Sequence, residues 1–143
     1  MLLRASLTAP TLEVAVRRRC RHHGLLTEDV RIELRVDPAT GVVRVRELVD
    51  LGALREFCLV SLLRNLHGIA CWLADSRIAL VGARFPFPAP AHAEAYGRMF
   101  QAAFQTETGT TVETGTTVEI VQVKPGRSIC LASALARIAG RRP

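Results

Sequence analysis

Side chains suited to catalysis or metal binding are scattered along this chain rather than grouped. Its four cysteines form no Cys-x-x-Cys pair and show no zinc-type spacing with the four histidines. Cys20 stands close to His22 and His23, but side chains at adjacent helix positions point in different directions. The sequence contains no GxSxG, no HExxH, no P-loop and no Gly-rich dinucleotide fingerprint. We therefore expect a protein that is not an enzyme, uses no metal or cofactor, and keeps its cysteines as buried reduced thiols.

Arginine dominates the charge of the chain, and one cluster of it could contact phosphates. The 143 residues carry a formal net charge of +6, and 18 of the 19 basic residues are Arg. The cluster lies at the C-terminal end of a helix predicted at 11–23 and consists of Arg17, Arg18, Arg19 and Arg21. The helix dipole favours positive charge there, so a solvated helix end explains the cluster. A small basic nucleic-acid-binding protein acting through these arginines is the alternative.

Alternation and helical periodicity predict the main elements. Residues 30–48 read as a hairpin, because apolar and charged residues alternate on both sides of a Pro- and Gly-containing turn. Residues 52–74 carry the longest helical pattern, and residues 78–85 read as a strand. A second helix, led by Pro90, covers 90–103. These elements predict an α/β or, more narrowly, an α+β fold, in which a small and mainly antiparallel sheet is covered by the two helices.

The long helix contains the apolar surface that should pack on the sheet. Its predicted buried face is Leu54, Cys58, Leu62, Leu66, Ile69 and Leu73, widened by Phe57, Leu59, Val60 and Leu63. Within it, His67 is expected to be hydrogen-bonded and partly buried rather than a ligand. Gly68 is expected to allow a close neighbour.

Three prolines at alternate positions, Pro86, Pro88 and Pro90, connect the predicted strand to the next helix. Proline cannot donate to a ladder and holds the preceding residue extended, so these residues predict a rigid connector out of the strand. In the following helix His92, Tyr96 and Phe100 share one face. Packing of this face on the sheet is the simpler interpretation, and a ligand pocket lined by His92 and Tyr96 is the alternative.

The character of the sequence changes after Phe104. The repeat TGTTVE occurs twice in tandem, at 108–113 and 114–119, and predicts a loop or an irregular hairpin. One strand is expected within 119–128, and a short helix capped by Ser128 is expected after it. We therefore divide the chain into residues 1–105, a folded domain, and 106–143, a divergent tail without a helix-turn-helix.

The sequence shows no clear targeting signal. No apolar run is expected to reach the roughly 20 residues of a membrane span, and the N-terminus is too short in its apolar part for a signal peptide. We expect a cytoplasmic protein that does not enter a membrane.

Three stretches resemble the N-terminal, arabinose-binding-type domain of AraC-family transcriptional regulators. They are residues 11–36, 54–80 and the segment FPFPAPAHAEAYGRMF at 85–100, so the resemblance covers roughly residues 5 to 104. The third stretch is the most specific, since these domains run from a strand-ending phenylalanine through a Pro-Ala-Pro-Ala-His segment into a helix with tyrosine and phenylalanine. The matching residues are Phe85, Pro88, Pro90, His92, Tyr96 and Phe100.

The resemblance implies an effector-sensing or dimerisation module of a bacterial regulator. Such a module would bind a small-molecule effector, and would pair with a second copy of itself or with an intact regulator. DNA would be reached only through helix-turn-helix units, which the 39 residues after position 104 are too few to form. The family domain here is expected to be truncated at both ends, with a tail that a shifted reading frame would explain. The matching motif suggests packing, so no effector-contact residue is carried over.

Overall fold

The structure, a computed structural model, describes residues 6–36, 41–80, 82–101, 103–106 and 117–121. The ordered elements, in chain order, are helix α1 (Leu12–His23), strands β1 (Val30–Val36) and β2 (Gly41–Glu47), helix α2 (Arg55–Ala74), strand β3 (Gly82–Phe85), helix α3 (Glu94–Phe100), and strands β4 (Ala103–Thr106) and β5 (Thr117–Val121). A 3₁₀ turn, Gly52–Leu54, precedes α2. The predicted helix capped by Ser128 lies outside the described residues.

The five strands form one sheet in the order β1-β2-β5-β3-β4. β1 pairs antiparallel with β2, and β5 pairs antiparallel with both β2 and β3. β3 and β4 run parallel. A parallel pair needs a crossover connection, and the proline segment with α3 provides it. The predicted α+β fold with a mainly antiparallel sheet is confirmed.

The hairpin β1–β2 follows the alternation of its sequence. Ile32 pairs with Val45, and both side chains are buried. Glu33 stands opposite Arg44, so unlike charges meet on the other face. The single buried face of the hairpin fixes the register of its two strands, because a slip of one residue would expose the apolar side chains.

Helix α1 begins as its sequence indicates but ends differently. The Thr11 side chain accepts a hydrogen bond from the Val14 N–H, which caps the first turn. Glycine often ends a helix in the left-handed conformation, but Gly24 has a φ of −64° and a ψ of −11°, which are right-handed. The chain instead continues as turns, with the Leu26 N–H donating to the His23 carbonyl at 2.9 Å. Gly24 therefore does not use the conformational freedom of glycine to adopt a positive φ.

The buried face of α2 is rotated from the predicted one. The buried residues are Leu59, Val60, Leu63, Leu66, Ala70 and Leu73. Leu54 and Phe57 are 64% and 70% exposed, so their assignment to the core was wrong. Leu54 belongs to the 3₁₀ turn before the helix and does not follow the helical stripe. The Arg55 guanidinium binds the Glu47 carboxylate at 2.9 Å and ties the start of α2 to the end of β2.

Residues Gly52–Ala74 are long and apolar enough to cross a membrane by length and composition. The expectation that no stretch reaches this length was therefore wrong. Length and composition do not separate a spanning helix from a core helix, and α2 contributes six side chains to the core shared with α1 and the sheet.

The third strand and third helix are shorter than predicted. β3 begins at Gly82 rather than at residue 78 because Ile78 is bonded to α2 instead of to a strand: its N–H donates to the Cys71 sulfur at 3.3 Å, and its carbonyl lies 2.8 Å from His67 Nε2. α3 spans 94–100 rather than 90–103. The Ala93 N–H donates to the Pro90 carbonyl in a three-residue turn, so Pro90 opens a turn ahead of the helix.

Strand β5 overlaps the repeat that was expected to form a loop or an irregular hairpin. It begins at Thr117, inside the second TGTTVE copy, and ends at Val121. Its start therefore lies two residues before that of the expected 119–128 segment. It occupies the middle of the sheet, between β2 and β3. The first repeat copy lies outside the described residues. The boundary at residue 105 stays a prediction, but β5 comes from the assigned tail and joins the two sides of the sheet.

Phe85 occupies the centre of the aromatic core. It is the last residue of β3 and is 0% exposed. Its ring centroid lies 5.3 Å from that of Phe87, 6.1 Å from that of Tyr96 and 6.0 Å from that of Phe100. These distances suit tilted aromatic packing, which adds to the free energy of burial. The cluster holds the connector and α3 against β3.

Replacing Phe85 by Ala is expected to lower the free energy of unfolding by about 3–5 kcal/mol, because a buried ring is lost and a cavity remains. The matched control is Phe57→Ala, which removes an exposed ring and should change stability by less than about 0.5 kcal/mol. Urea unfolding followed by circular dichroism measures both. Equal losses in the two variants would contradict the described core.

Two glycines should respond in opposite directions to the same change. Gly52 has a φ of +52°, so Gly52→Ala is expected to lower stability by about 1 kcal/mol. Gly68 lies inside α2, and a Cβ there would meet nothing within 4 Å. Gly68→Ala is therefore expected to raise stability by about 1 kcal/mol through helix propensity. Thermal unfolding measures both; a destabilised Gly68→Ala protein would show that the glycine is needed for packing.

Candidate functional site

A three-residue hydrogen-bond network joins the first turn of α2 to the region of α3. His92 Nε2 lies 2.7 Å from Glu56 Oε1 and 3.0 Å from the Tyr96 hydroxyl oxygen. The Tyr96 hydroxyl donates to the same Glu56 oxygen. An ionised carboxylate only accepts, so both the imidazole N–H and the phenol point their protons at Glu56. We call these three residues the Glu56 network.

The network is electrostatically consistent with an ionised Glu56. The hydrogen bond from Tyr96 lowers the pKa of the Glu56 carboxyl, burial opposes this, and His92 adds to the lowering. Burial, followed by the bond to Glu56, raises the pKa of Tyr96 above its ordinary value. Tyr96 is buried while His92 is exposed. The Glu56 network links α2 to the region of α3 through hydrogen bonds whose strength depends on the ionisation of Glu56.

The structure brings four of the six residues of the family motif together. Phe85 and Phe100 are buried and packed against each other, and Tyr96 and His92 contact edge to face at 5.4 Å. Pro88 is exposed, and Pro90 is half-buried. The placement of Phe85, Tyr96 and Phe100 fits packing. Whether any of the six residues contacts an effector stays a prediction.

The arginine cluster is partly engaged within the chain. Arg17 binds Glu13 at 2.8 Å and the Leu34 carbonyl at 3.2 Å. Arg18 donates to the Thr8 hydroxyl at 3.0 Å. Arg21 is exposed.

Nucleic-acid contact through Arg17, Arg18, Arg19 and Arg21 stays a prediction. A phosphate would have to compete for Arg17 and Arg18 with the partners they already hold. The basic C-terminal end at 137–142 lies outside the described residues.

The described cysteines are free thiols with incomplete burial. Cys20, Cys58 and Cys71 are half-buried, less than predicted, and Cys130 lies outside the described residues. Burial raises the pKa of the Cys20 thiol to about 11, although its backbone hydrogen bond and Arg17 oppose the shift. Cys20 is therefore a neutral thiol at physiological pH.

A cavity of about 1080 Å³ lies against the outer face of α2, away from the Glu56 network. Its lining, within the part of the chain that the structure describes, is Ser61, Arg64, Asn65, His67, Gly68, Ile69, Cys71, Trp72, Asp75, Ser76, Arg77 and Met99. Neither His92 nor Tyr96 is among its described lining residues, and a ligand pocket lined by those two residues stays a prediction. The predicted hydrogen-bonded, partly buried state of His67 is confirmed by its 2.8 Å contact with the Ile78 carbonyl.

Two residues of these sites, Glu56 and Gly68, could not be assigned their roles from local patterns. Glu56 meets partners 36 and 40 residues away, and no local pattern marks such a contact. Gly68 was expected to admit a close neighbour, but it faces open space and lines the cavity. A helical spacing of Ser61, Arg64, Gly68 and Trp72 was the available signal, since it places them along one face.

Residues 1–112 match the family model of the N-terminal arabinose-binding domain of AraC transcription regulators. The match includes the core helices, the hairpin and the proline-led segment. The chain belongs to this family. The expected resemblance is confirmed, and the chain contains a regulatory domain of the AraC type.

Two longer proteins are similar to this chain, one in sequence and one in fold. The ornithine utilization regulator of Pseudomonas aeruginosa is 30% identical over 103 residues, which are 72% of this chain and 30% of that protein. A solved structure, that of the transcriptional regulator CdpR from Pseudomonas aeruginosa, matches with a TM-score of 0.59 at 16% identity. The match covers 91% of this chain and 41% of the other, and it shows a shared fold. The chain spans about a third of the length of the curated relative it matches.

The Glu56 network makes a pH-dependent prediction. Tyr96→Phe keeps the buried ring but removes the hydroxyl, and is expected to lower the free energy of unfolding by about 1 kcal/mol at neutral pH. Since the folded-state pKa of Glu56 lies below the ordinary value of 4.5, this contribution is present above that pH and is lost as pH falls through the folded value.

Urea unfolding of wild type and Tyr96→Phe over a series of acidic pH values measures the effect. The stability difference between the two proteins should shrink below about pH 4.5. Glu94→Gln, an exposed carboxylate on the same helix, is the control and should keep the stability close to wild type. A difference that is constant with pH would contradict the network.

Proposed function

We propose that this chain is the effector-sensing or dimerisation module of an AraC-type bacterial transcriptional regulator, working in the cytoplasm without catalysing a reaction. The observation that carries the proposal is the family match over residues 1–112. The similarity to the ornithine utilization regulator of Pseudomonas aeruginosa supports it. Its partners would be a small-molecule effector and a second copy of the chain or an intact regulator.

The mechanism would be a shift between two populated conformations. An effector that binds one conformation more tightly raises its population by the difference in affinity. The Glu56 network supports such a scheme, because it ties α2 to α3 through three side chains of which His92 is exposed. DNA would be contacted by another domain of the regulator, and the sensor would change how that domain is presented.

The test joins the full chain to a DNA-binding domain that represses a reporter gene only when it is brought together as a dimer. We expect repression with the wild-type chain and a changed level of repression on addition of a small-molecule effector. L-Ornithine is the first compound to try, because the relative is named for ornithine utilization. Phe85→Ala should abolish repression by unfolding the module, and Phe57→Ala tests whether an exposed ring contributes.

A fusion that stays folded but neither represses nor responds to a panel of small metabolites would overturn the proposed function. Repression without any response would leave dimerisation as the function and remove the sensing role. Resistance of the fusion protein to limited proteolysis shows that it is expressed and folded. This control separates a loss of function from a failure of expression.

A further inference from the structure

Two exposed arginines stand at the cavity on the outer face of α2. Arg64 and Arg77 are exposed, and neither makes a hydrogen bond or an ion pair with the residues at 6–36, 41–80 or 82–101. Asp75 is the one carboxylate among the described lining residues, and it already takes part in an interaction of its own. The cavity therefore carries an excess of positive charge.

The rest of the lining suits a small organic molecule. Trp72 and Ile69 are half-buried, and Met99 from α3 is 39% exposed, so they offer an apolar wall. Asn65 and Ser61 add polar groups from the neighbouring turn of α2. Binding sites for small ligands combine an apolar lining with a few polar groups that orient the ligand, in volumes of roughly 300–1000 Å³.

Gly68 is one of the residues that line the cavity. It lies one turn after Arg64 and one turn before Trp72 on the same helical face. A Cβ at this position would meet no atom within 4 Å. Any side chain larger than hydrogen would enter the space in which a ligand would lie.

We propose that this cavity binds a small organic anion with one carboxylate, held by Arg64 and Arg77, and with an apolar body that packs on Trp72 and Met99. Arginine suits this role because its planar guanidinium matches a carboxylate with two hydrogen bonds. The inference rests on the proposed sensing function and names the chemical class of the effector.

Such a ligand would touch both helices that the Glu56 network joins. The lining residues from α2 and Met99 from α3 would contact the same molecule. A ligand that bridges two elements stabilises the arrangement in which both contacts are made. Binding in this cavity would thus favour one placement of α3 relative to α2.

The chain provides its own probe of the cavity, because Trp72 is its only tryptophan. The test titrates the full chain with cyclohexanecarboxylate and follows Trp72 fluorescence. The neutral amide of the same shape, cyclohexanecarboxamide, is the matched ligand. We expect a saturable change with the carboxylate and binding at least five- to tenfold weaker with the amide, a modest ratio because both arginines are exposed to water.

Three variants locate the site. Arg64→Gln and Arg77→Gln should each weaken carboxylate binding by about five- to tenfold, whereas Arg35→Gln, an exposed arginine on β1, should leave it unchanged. Gly68→Leu should place a side chain between Arg64 and Trp72 on the cavity wall and weaken binding, while thermal unfolding shows that the fold is kept. Equal binding of acid and amide, equal losses in all three arginine variants, or full binding by folded Gly68→Leu would each overturn the proposal.

The reporter fusion separates this inference from the proposed function. If the fusion responds to a compound without a carboxylate and cyclohexanecarboxylate does not bind, the sensing role stands and the ligand class is wrong. If cyclohexanecarboxylate binds as predicted but the fusion neither represses nor responds, the cavity assignment stands and the regulatory role is wrong.

Discussion

The burial of Phe85 is the constraint on which the rest of the structure depends. Its ring ends β3 and lies fully inside, in contact with the rings of Phe87, Tyr96 and Phe100. The chain must leave β3, pass over this ring and return to place β4 parallel to β3. The proline segment stiffens the departure, since each proline fixes its own φ and removes a donor. α3 then covers Phe85 with Tyr96 and Phe100 before the left-handed turn at Gln101 leads towards β4.

Much of this arrangement could be predicted where one local pattern sets the structure. Alternation located the hairpin, Thr11 marked the start of α1, and the order of Phe85, Pro90, Tyr96 and Phe100 indicated the family. The failures have a common cause, which is contact between elements that no local pattern reveals. Ile78 is apolar and strand-like in sequence, but hydrogen bonds to Cys71 and His67 hold it against α2. The exposed position of Phe57 follows from the packing of α2 as a whole.

The candidate site was less predictable than the fold. His92 and Tyr96 could be placed on one helix face, but their acceptor Glu56 is 36 and 40 residues distant and lies on another helix. The cavity depends on α2, the turn after it and Met99 of α3, three segments that no single periodicity connects. Similarly, the β5 sequence TVEIV has a strand-like pattern, but nothing local shows that it pairs with both β2 and β3.

These features fit a regulatory domain in which binding and structure are coupled. One face of α2 builds the core, and the opposite face borders the cavity. The Glu56 network holds the start of α2 to α3, and Met99 on α3 reaches the same cavity. A ligand on the outer face could thus change the balance between α2 and α3 without entering the core. Packed interiors respond to such contacts by shifting between discrete arrangements rather than by deforming gradually.

The most direct test of this account compares thermal unfolding of the full chain with that of a chain ending at Gln105. β5 pairs with β2 on one side and β3 on the other, so the account makes the sheet dependent on residues 117–121. We expect one cooperative transition for the full chain and a loss of cooperative unfolding for the shortened one. An unchanged transition in the shortened chain would show that residues 1–105 fold alone, and would contradict the central place of β5 in the sheet.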